Sequence, residues 1–142
     1  EDAALFTERR PIYIYAAKQN DARKRALEVC GATVIYLPSP NVGASETEKV
    51  DLLAMLQDLG HREVNELHIE AGPRLNGGFI REGLVDELLL YQAPKLLGQG
   101  RDMADFGPLD DLDTALQLDY LSTHLVGTDL RLLARVRGRD VF

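Results

Sequence analysis

Several features on which whole classes of protein depend are missing from this sequence. Cys30 is the only cysteine among 142 residues, which excludes an intrachain disulfide and a multi-cysteine zinc cage. We expect Cys30 to be a small core residue at the end of a helix. No apolar run approaches the roughly 18 residues that cross a bilayer, and no signal-peptide pattern opens the chain. We therefore expect a soluble protein without a membrane partner.

Basic residues are also fewer than acidic ones. Sixteen basic residues against 23 acidic ones give a net charge of -7, which opposes nonspecific attraction to nucleic-acid phosphates and anionic membranes. Four arginines nevertheless concentrate near the end of the chain, at positions 131, 135, 137 and 139. Solvated protection of a sheet edge is the favoured explanation, with phosphate or partner contact as the alternative. We expect no nucleic-acid partner.

Metal and hydrolase motifs are absent as well. His68-Ile69-Glu70 matches the H-x-E of zinc deaminases, but that chemistry also needs P-C-x-x-C, and Cys30 has no second cysteine to complete it. The sequence contains neither H-x-x-x-H nor the G-x-S-x-G of a nucleophile elbow. We therefore expect no metal site and no hydrolase triad.

Strand-like and helix-like segments do alternate along the chain. Residues 11–15 and 32–37 have strand composition and flank a helix that Asp21 caps and Gly31 ends, which predicts a β-α-β unit. A second helix, capped by Ser45 or Thr47, is predicted to end at Gly60. The sequence then predicts a strand over 66–70, a helix opening at Gly72-Pro73 and stopping at Gly83, and a buried central strand over 85–91.

The end of the chain has a different pattern. Leu118, Tyr120, Ser122 and His124 alternate with their neighbours, residues 127–129 form a turn, and alternation resumes over 130–136. This predicts an antiparallel hairpin. A parallel β-α-β body with such a hairpin indicates an α/β fold, in which helices cover both faces of a mixed sheet.

The strongest local signal is the junction between the strand over 66–70 and the next helix. The N-terminus of a helix offers unpaired N–H groups and a positive dipole end, which suit a phosphate. Gly72 would let a ligand approach the backbone, and Gly77-Gly78 would let the helix pack closely. Glu70 would either accept a hydrogen bond from a ligand or pair with a cation. A plain strand-helix turn remains the alternative, because the motif is neither the dinucleotide fingerprint nor a phosphate loop.

Three stretches together resemble a known family. Glu70-Ala71-Gly72-Pro73-Arg74-Leu75-Asn76-Gly77-Gly78-Phe79-Ile80, the run from Gly83 to Tyr91 and Ala93-Pro94-Lys95-Leu96-Leu97-Gly98 resemble the C-terminal reductase domain of the bifunctional riboflavin-biosynthesis deaminase/reductase. The resemblance implies a three-layer dihydrofolate-reductase-like fold with a mixed, mostly parallel sheet. It also implies NADPH-dependent reduction of 5-amino-6-(5-phosphoribosylamino)uracil to the ribitylamino product. The implied protein is a cytoplasmic homodimer whose longer parent carries a linked deaminase domain.

The same resemblance assigns site residues by motif position. Glu70 resembles the family's substrate-contacting glutamate, and its NADP-binding turn is resembled by Gly72, Pro73, Arg74, Leu75, Asn76, Gly77 and Gly78. No catalytic side chain is assigned, since the hydride comes from the cofactor. The family's opening K-x-A-x-S-x-D-G-like strand has no match here, so we expect residues 1–142 to be the C-terminal part of one reductase domain. The alternatives are a reductase of another small molecule with the same fold, and a noncatalytic nucleotide-binding or self-associating fragment.

Overall fold

A computed structural model describes residues 3–7, 10–40, 48–109 and 111–139 of the chain. The chain divides into two compact units, Glu1–Leu67 and His68–Phe142. In the ranges described, no helix combines the length and the apolar character that crossing a bilayer requires.

Unit 1 contains a parallel β-α-β arrangement and a second helix. After a 3-10 turn at Ala4–Phe6, its elements are β1 (Ile12–Ala16), α1 (Asp21–Val29), β2 (Ala32–Tyr36) and α2 (Leu52–His61). The two strands pair in parallel, with Ile12 opposite Ala32 and Ala16 opposite Tyr36. Ile12, Ala32 and Val34 are buried. The predicted β-α-β unit is confirmed.

The ends of α1 differ slightly from the prediction. Asn20, rather than Asp21, is the N-cap, because its side-chain oxygen accepts a hydrogen bond from the Arg23 N–H at 3.0 Å. Cys30 is the C-cap and is half-buried. Gly31 follows with φ +91°, the left-handed conformation with which helices commonly end. The predicted helix end at Gly31 is confirmed.

The start and end of α2 were predicted less well. Asp51 is its N-cap, accepting from the Ala54 N–H at 2.9 Å, whereas Ser45 and Thr47 lie outside the described residues. Val50 forms a bridge with Pro38 instead of joining the helix. Gly60 lies inside α2, and the left-handed residue after the helix is Glu63, with φ +65°.

A polar cluster joins α2 to β1. The Tyr15 hydroxyl donates to Asp58 Oδ2 at 2.6 Å, and Arg62 Nε donates to the same oxygen at 2.7 Å. The Arg62 guanidinium also lies 4.6 Å from the centre of the Tyr13 ring. Hydrogen bonds from Arg62 and then Tyr15 lower the pKa of Asp58. Desolvation and the bond to Asp58 raise the pKa of Tyr15 to about 12.

Unit 2 is a helix and an antiparallel sheet. Its elements are α3 (Pro73–Arg81), β3 (Glu87–Gln92), β4 (Leu118–Val126) and β5 (Asp129–Val136). The sheet order is β3-β5-β4, and both pairings are antiparallel. Ala134 is fully buried on the central strand. The predicted helix after Gly72 and the C-terminal hairpin are confirmed, as is the α/β class.

Two expectations about the sheet were wrong in detail. Residues 66–70 form no strand in the described part of the chain, and they are exposed. The segment predicted as a buried central strand is β3, which lies at an edge and leaves Tyr91 57% exposed. The strands therefore form a parallel pair and an antiparallel sheet of three. Both errors concern long-range pairing, which determines whether an apolar segment becomes a central strand.

The hairpin is built by a tight turn and a bulge. Gly127 has φ +62° and takes the first central position of a two-residue turn, where a positive φ is required in type II′. The β4–β5 register shifts between Tyr120 and Ser122, so Leu121 is an extra residue. The predicted continuous alternation from Leu118 to His124 is therefore wrong.

Three of the four C-terminal arginines, at positions 135, 137 and 139, form ion pairs within unit 2. Arg135 Nη2 lies 2.5 Å from Glu87 Oε1, and Arg137 Nη2 lies 2.7 Å from Asp119 Oδ1. The hydrogen bond between the second pair lowers the pKa of Asp119 and raises that of Arg137. Arg135 lies on β5, the central strand, and pairs with Glu87 on β3, so protection of a sheet edge does not explain this arginine. Arg137 and Arg139 follow β5 and pair with Asp119 on β4 and with Asp86 before β3.

Candidate functional site

An open cleft of about 570 Å³ lies at the N-terminal end of α3. Its lining combines the start of the helix with one residue from a distant loop: Ala71, Gly72, Pro73, Arg74, Leu75 and Arg101. Four of the seven residues predicted to bind the cofactor are among them. The structure thus brings the first half of the predicted turn into one cavity.

The backbone at this helix start leaves a hydrogen-bond donor available. Gly72 is the N-cap in an extended conformation, and Pro73 follows it at the first helical position. The N–H groups of Leu75 and Asn76 both donate to the Gly72 carbonyl at 3.1 Å. Since proline has no N–H, Arg74 is the remaining donor of the first turn, next to the positive end of the helix dipole.

The space in front of Gly72 is open. A Cβ placed there would meet no atom of the protein within 4 Å, and the φ of −80° is accessible to any residue. Neither backbone strain nor protein packing therefore requires glycine at position 72. This agrees with the prediction that a ligand approaches the backbone here, which stays a prediction.

Both charged residues that line the cleft are arginines. Arg74 begins the helix, Arg101 comes from the loop before β4, and both are exposed. A guanidinium presents several N–H donors in a planar fork and binds phosphate or carboxylate oxygens in pairs. The cleft is therefore locally cationic in a chain whose net charge is -7.

The second half of the predicted turn is used in packing. Asn76 Nδ2 donates to the carbonyls of Ala71 at 3.2 Å and Met103 at 2.9 Å. A Cβ on Gly77 would lie 1.8 Å from the Asp105 carbonyl oxygen. Gly78 is buried. Gly77 is therefore a glycine that permits tight packing, as the sequence analysis predicted for the Gly77-Gly78 pair.

Sequence reasoning missed Arg101. Its loop returns to α3 through the Asp105 N–H, which donates to the Pro73 carbonyl at 2.8 Å, and through Arg81 Nη1, which donates to the Asp105 carbonyl at 2.6 Å. These partners are far apart along the chain, and the residues between them have no periodicity that predicts the contact. Asn76 was the available signal, since a polar residue beside buried glycines needs hydrogen-bond partners.

Glu70 lies next to the cleft but is not part of its lining. It is exposed and belongs to no strand of the described ranges, so the expectation that it ends a buried strand was wrong. The chain places it immediately before Ala71, which does line the cleft. Its role in contacting substrate stays a prediction.

The histidines do not form a metal site with other ligands in the part of the chain that the structure describes. No three His, Cys, Asp or Glu side chains come together there in a way that could hold an ion. His61 instead places Nδ1 2.6 Å from the Gln57 carbonyl oxygen, on its own helix. His68 and His124 are exposed.

The structure shows an α/β protein with an open cleft, lined by two arginines, at a helix N-terminus. Comparison with known families identifies the family of the chain. Residues 1–132 match the family described as the RibD C-terminal domain, and the chain belongs to this family. The resemblance drawn from residues 70–98 is confirmed.

Curated relatives agree with this membership. The chain is 39% identical over 84 residues to the riboflavin biosynthesis protein RibD of Escherichia coli (strain K12), covering 58% of this chain and 23% of the relative. It is 32% identical over 87 residues to the 5-amino-6-(5-phosphoribosylamino)uracil reductase of Buchnera aphidicola subsp. Acyrthosiphon pisum, covering 61% and 42%. The chain thus spans less than half the length of these relatives.

Solved structures show the same fold. RibD of Acinetobacter baumannii (form 2) superposes with a TM-score of 0.69 at 25% identity, covering 87% of this chain and 30% of that one. A pyrimidine reductase-like protein of Corynebacterium diphtheriae gives 0.62 at 21% identity, covering 87% and 49%. These likenesses confirm the α/β fold that the resemblance implied.

Proposed function

We propose that this chain is part of an NADPH-dependent oxidoreductase of riboflavin biosynthesis, which reduces 5-amino-6-(5-phosphoribosylamino)uracil to its ribitylamino product. Family membership over residues 1–132 and the printed name of the Buchnera relative support this proposal. The observation that carries it is the cationic cleft formed by Gly72, Pro73, Arg74 and Leu75. Residues 1–142 would then be the C-terminal part of one reductase domain.

The residues present fit a nicotinamide dinucleotide. Its phosphates need donors and positive charge without crowding, and the cleft offers the Arg74 N–H, two guanidinium groups and open space before Gly72. We propose that Gly72, Pro73, Arg74 and Leu75 contact the cofactor. Asn76, Gly77 and Gly78, the other residues of the predicted turn, are not part of the cleft lining, and contact of Gly78 with the cofactor stays a prediction.

The bound nicotinamide would supply the hydride, and the protein would position it and exclude water. Glu70 would accept hydrogen bonds from the substrate, because an ionised carboxylate is an acceptor with two oxygens. Its place directly before Ala71 would bring the substrate to the same end of α3 as the cofactor.

The first test measures NADPH binding on this chain and turnover on the longer reductase polypeptide that would contain it. We expect NADPH to bind to the 142-residue chain in a fluorescence titration. We expect Glu70→Gln, which keeps the size of the side chain but removes its charge, to lower kcat/KM for the ribosylamino substrate about tenfold or more and to leave the NADPH Kd unchanged.

Two results would contradict the proposal. Absence of NADPH binding would remove the cofactor claim, and equal turnover by Glu70→Gln would remove Glu70 from the site. Turnover of a different pyrimidine or pterin in place of the ribosylamino substrate would favour the alternative reductase.

We also propose that the protein is a cytoplasmic homodimer and that a deaminase domain belongs to the same longer polypeptide. The dimer has support in exposed apolar side chains on β4, an edge strand of the described sheet: Tyr120 is 72% exposed and Leu125 is 69% exposed.

A further inference from the structure

We infer that residues 101–105 form the second wall of the cofactor cleft. In this arrangement Arg101 binds a phosphate group of the dinucleotide, while Asn76 and Gly77 are positioning residues that hold the wall in place. The inference rests on the proposed function and deepens it, because it assigns a binding role to Arg101, outside the predicted turn, and changes the role of two residues within that turn.

The first step concerns Asn76. Its amide nitrogen carries two hydrogens, and the two carbonyls of Ala71 and Met103 accept them. Ala71 and Arg101 both line the cleft, and Met103 is two residues from Arg101. Both amide hydrogens of Asn76 are therefore already donated, and the side chain joins the segment just before α3 to the 101–105 loop.

The second step concerns Gly77. A Cβ added to Gly77 would lie 1.8 Å from the Asp105 carbonyl oxygen and 2.3 Å from the Asp105 carbonyl carbon. Glycine at position 77 is therefore required by the backbone of the wall. Two hydrogen bonds fix that backbone: the Asp105 N–H donates to Pro73, and Arg81 donates to Asp105.

The third step concerns charge. Arg101 is exposed and follows Gly98 and Gly100, so little local structure restrains it before the contacts at Met103 and Asp105. Those contacts hold its loop against α3, and Arg101 lines the same cleft as Arg74. Among the described residues no acidic side chain is part of the lining, and the two guanidinium groups and the helix N-terminus all favour an anionic ligand.

Charge substitutions at Arg101 test its role directly. We expect Arg101→Gln to weaken NADPH binding about tenfold at low salt, and the difference to shrink at high salt because an exposed charge contact is screened. Arg101→Lys should recover much of the affinity. Arg137→Gln is the matched control, since Arg137 is also an exposed arginine of unit 2 but does not line the cleft; it should bind NADPH as the unaltered chain does.

A double-mutant cycle tests the positioning role of Asn76. Asn76→Asp has the same shape but places a carboxylate against two carbonyls, so we expect faster hydrogen exchange at the Asp105 N–H and weaker NADPH binding. If Asn76 acts through Arg101, the double variant Asn76→Asp/Arg101→Gln should bind about as weakly as Arg101→Gln alone. A general structural defect would instead add to the effect of Arg101→Gln.

The possible outcomes distinguish a failure of this inference from a failure of the proposed function. If the unaltered chain does not bind NADPH, both the inference and the proposed cofactor are overturned. If it binds NADPH and Arg101→Gln binds equally well, Arg101 is not a binding residue and only the inference is overturned. Additive losses in the double variant would overturn the positioning role of Asn76.

Discussion

At the scale of single residues, one carboxylate with two donors links a strand of unit 1 to a helix. Asp58 Oδ2 accepts from the Tyr15 hydroxyl on β1 and from Arg62 on α2. Such a bond is stronger than one between neutral groups because the acceptor is charged. A residue that reads as an ordinary helical aspartate is thus the connection between a strand and a helix.

We predict that this connection makes the free energy of unfolding decrease at acidic pH. The pKa of Asp58 is lower in the folded chain, so its contribution is present at neutral pH and is lost as pH falls through and below the ordinary carboxyl value of about 4. Asp58→Asn should therefore lower the free energy of unfolding at pH 7 and lower it much less at pH 3. Urea unfolding followed by circular dichroism at both values measures this.

The control for that experiment is Asp102→Asn, since Asp102 is an exposed aspartate of unit 2. A loss at pH 3 as large as the loss at pH 7 would contradict the prediction.

Tyr15 gives a second check, in which stability is lost at high pH rather than at low pH, because the pKa of Tyr15 is raised to about 12. The stability it contributes should be complete below about pH 10 and should be lost as pH rises through 12.

At the scale of elements, α3 can lie against the 101–105 loop only because position 77 has no side chain. We predict that Gly77→Ala lowers the free energy of unfolding by about 1–3 kcal/mol, since the added methyl group displaces the Asp105 backbone. Gly60→Ala is the matched control: Gly60 is also helical, its Cβ would meet nothing within 4 Å, and alanine there should stabilise by up to about 1 kcal/mol. Equal effects of the two variants in urea unfolding would contradict the packing argument.

The elements also show what the sequence could predict. Helices α1 and α3 and the β4–β5 hairpin were predicted because caps, glycines and periodicity are local signals. The absence of a strand over 66–70 and the edge position of β3 depend on which strands pair, and no local pattern contains that information. The same limit applies to the site. Four residues of its lining were predicted from one continuous motif, whereas Arg101 was missed because the hydrogen bonds that secure its loop join residues far apart in the sequence, such as Asn76 and Met103, which are 27 positions apart.

At the scale of the whole molecule, the charge and the exposed apolar residues act in opposite directions. A net charge of -7 keeps copies of a small protein apart at low ionic strength. Strand β4 nevertheless lies at an edge of its sheet and carries Tyr120 and Leu125 largely exposed. An unpaired strand edge with apolar side chains favours pairing with another chain, and this is the physical basis of the proposed homodimer.

We predict that Leu125→Lys shifts the chain toward the monomer, because a charged residue on an edge strand disfavours strand pairing and the burial of apolar surface. Light scattering coupled to size exclusion should give a dimer mass for the unaltered chain and a smaller mass for the variant at equal concentration. Val29→Lys is the control, since Val29 is 88% exposed on α1 rather than on the sheet. A monomer mass for the unaltered chain would contradict the homodimer, and an equal shift by Val29→Lys would show that added charge, rather than the β4 edge, controls association.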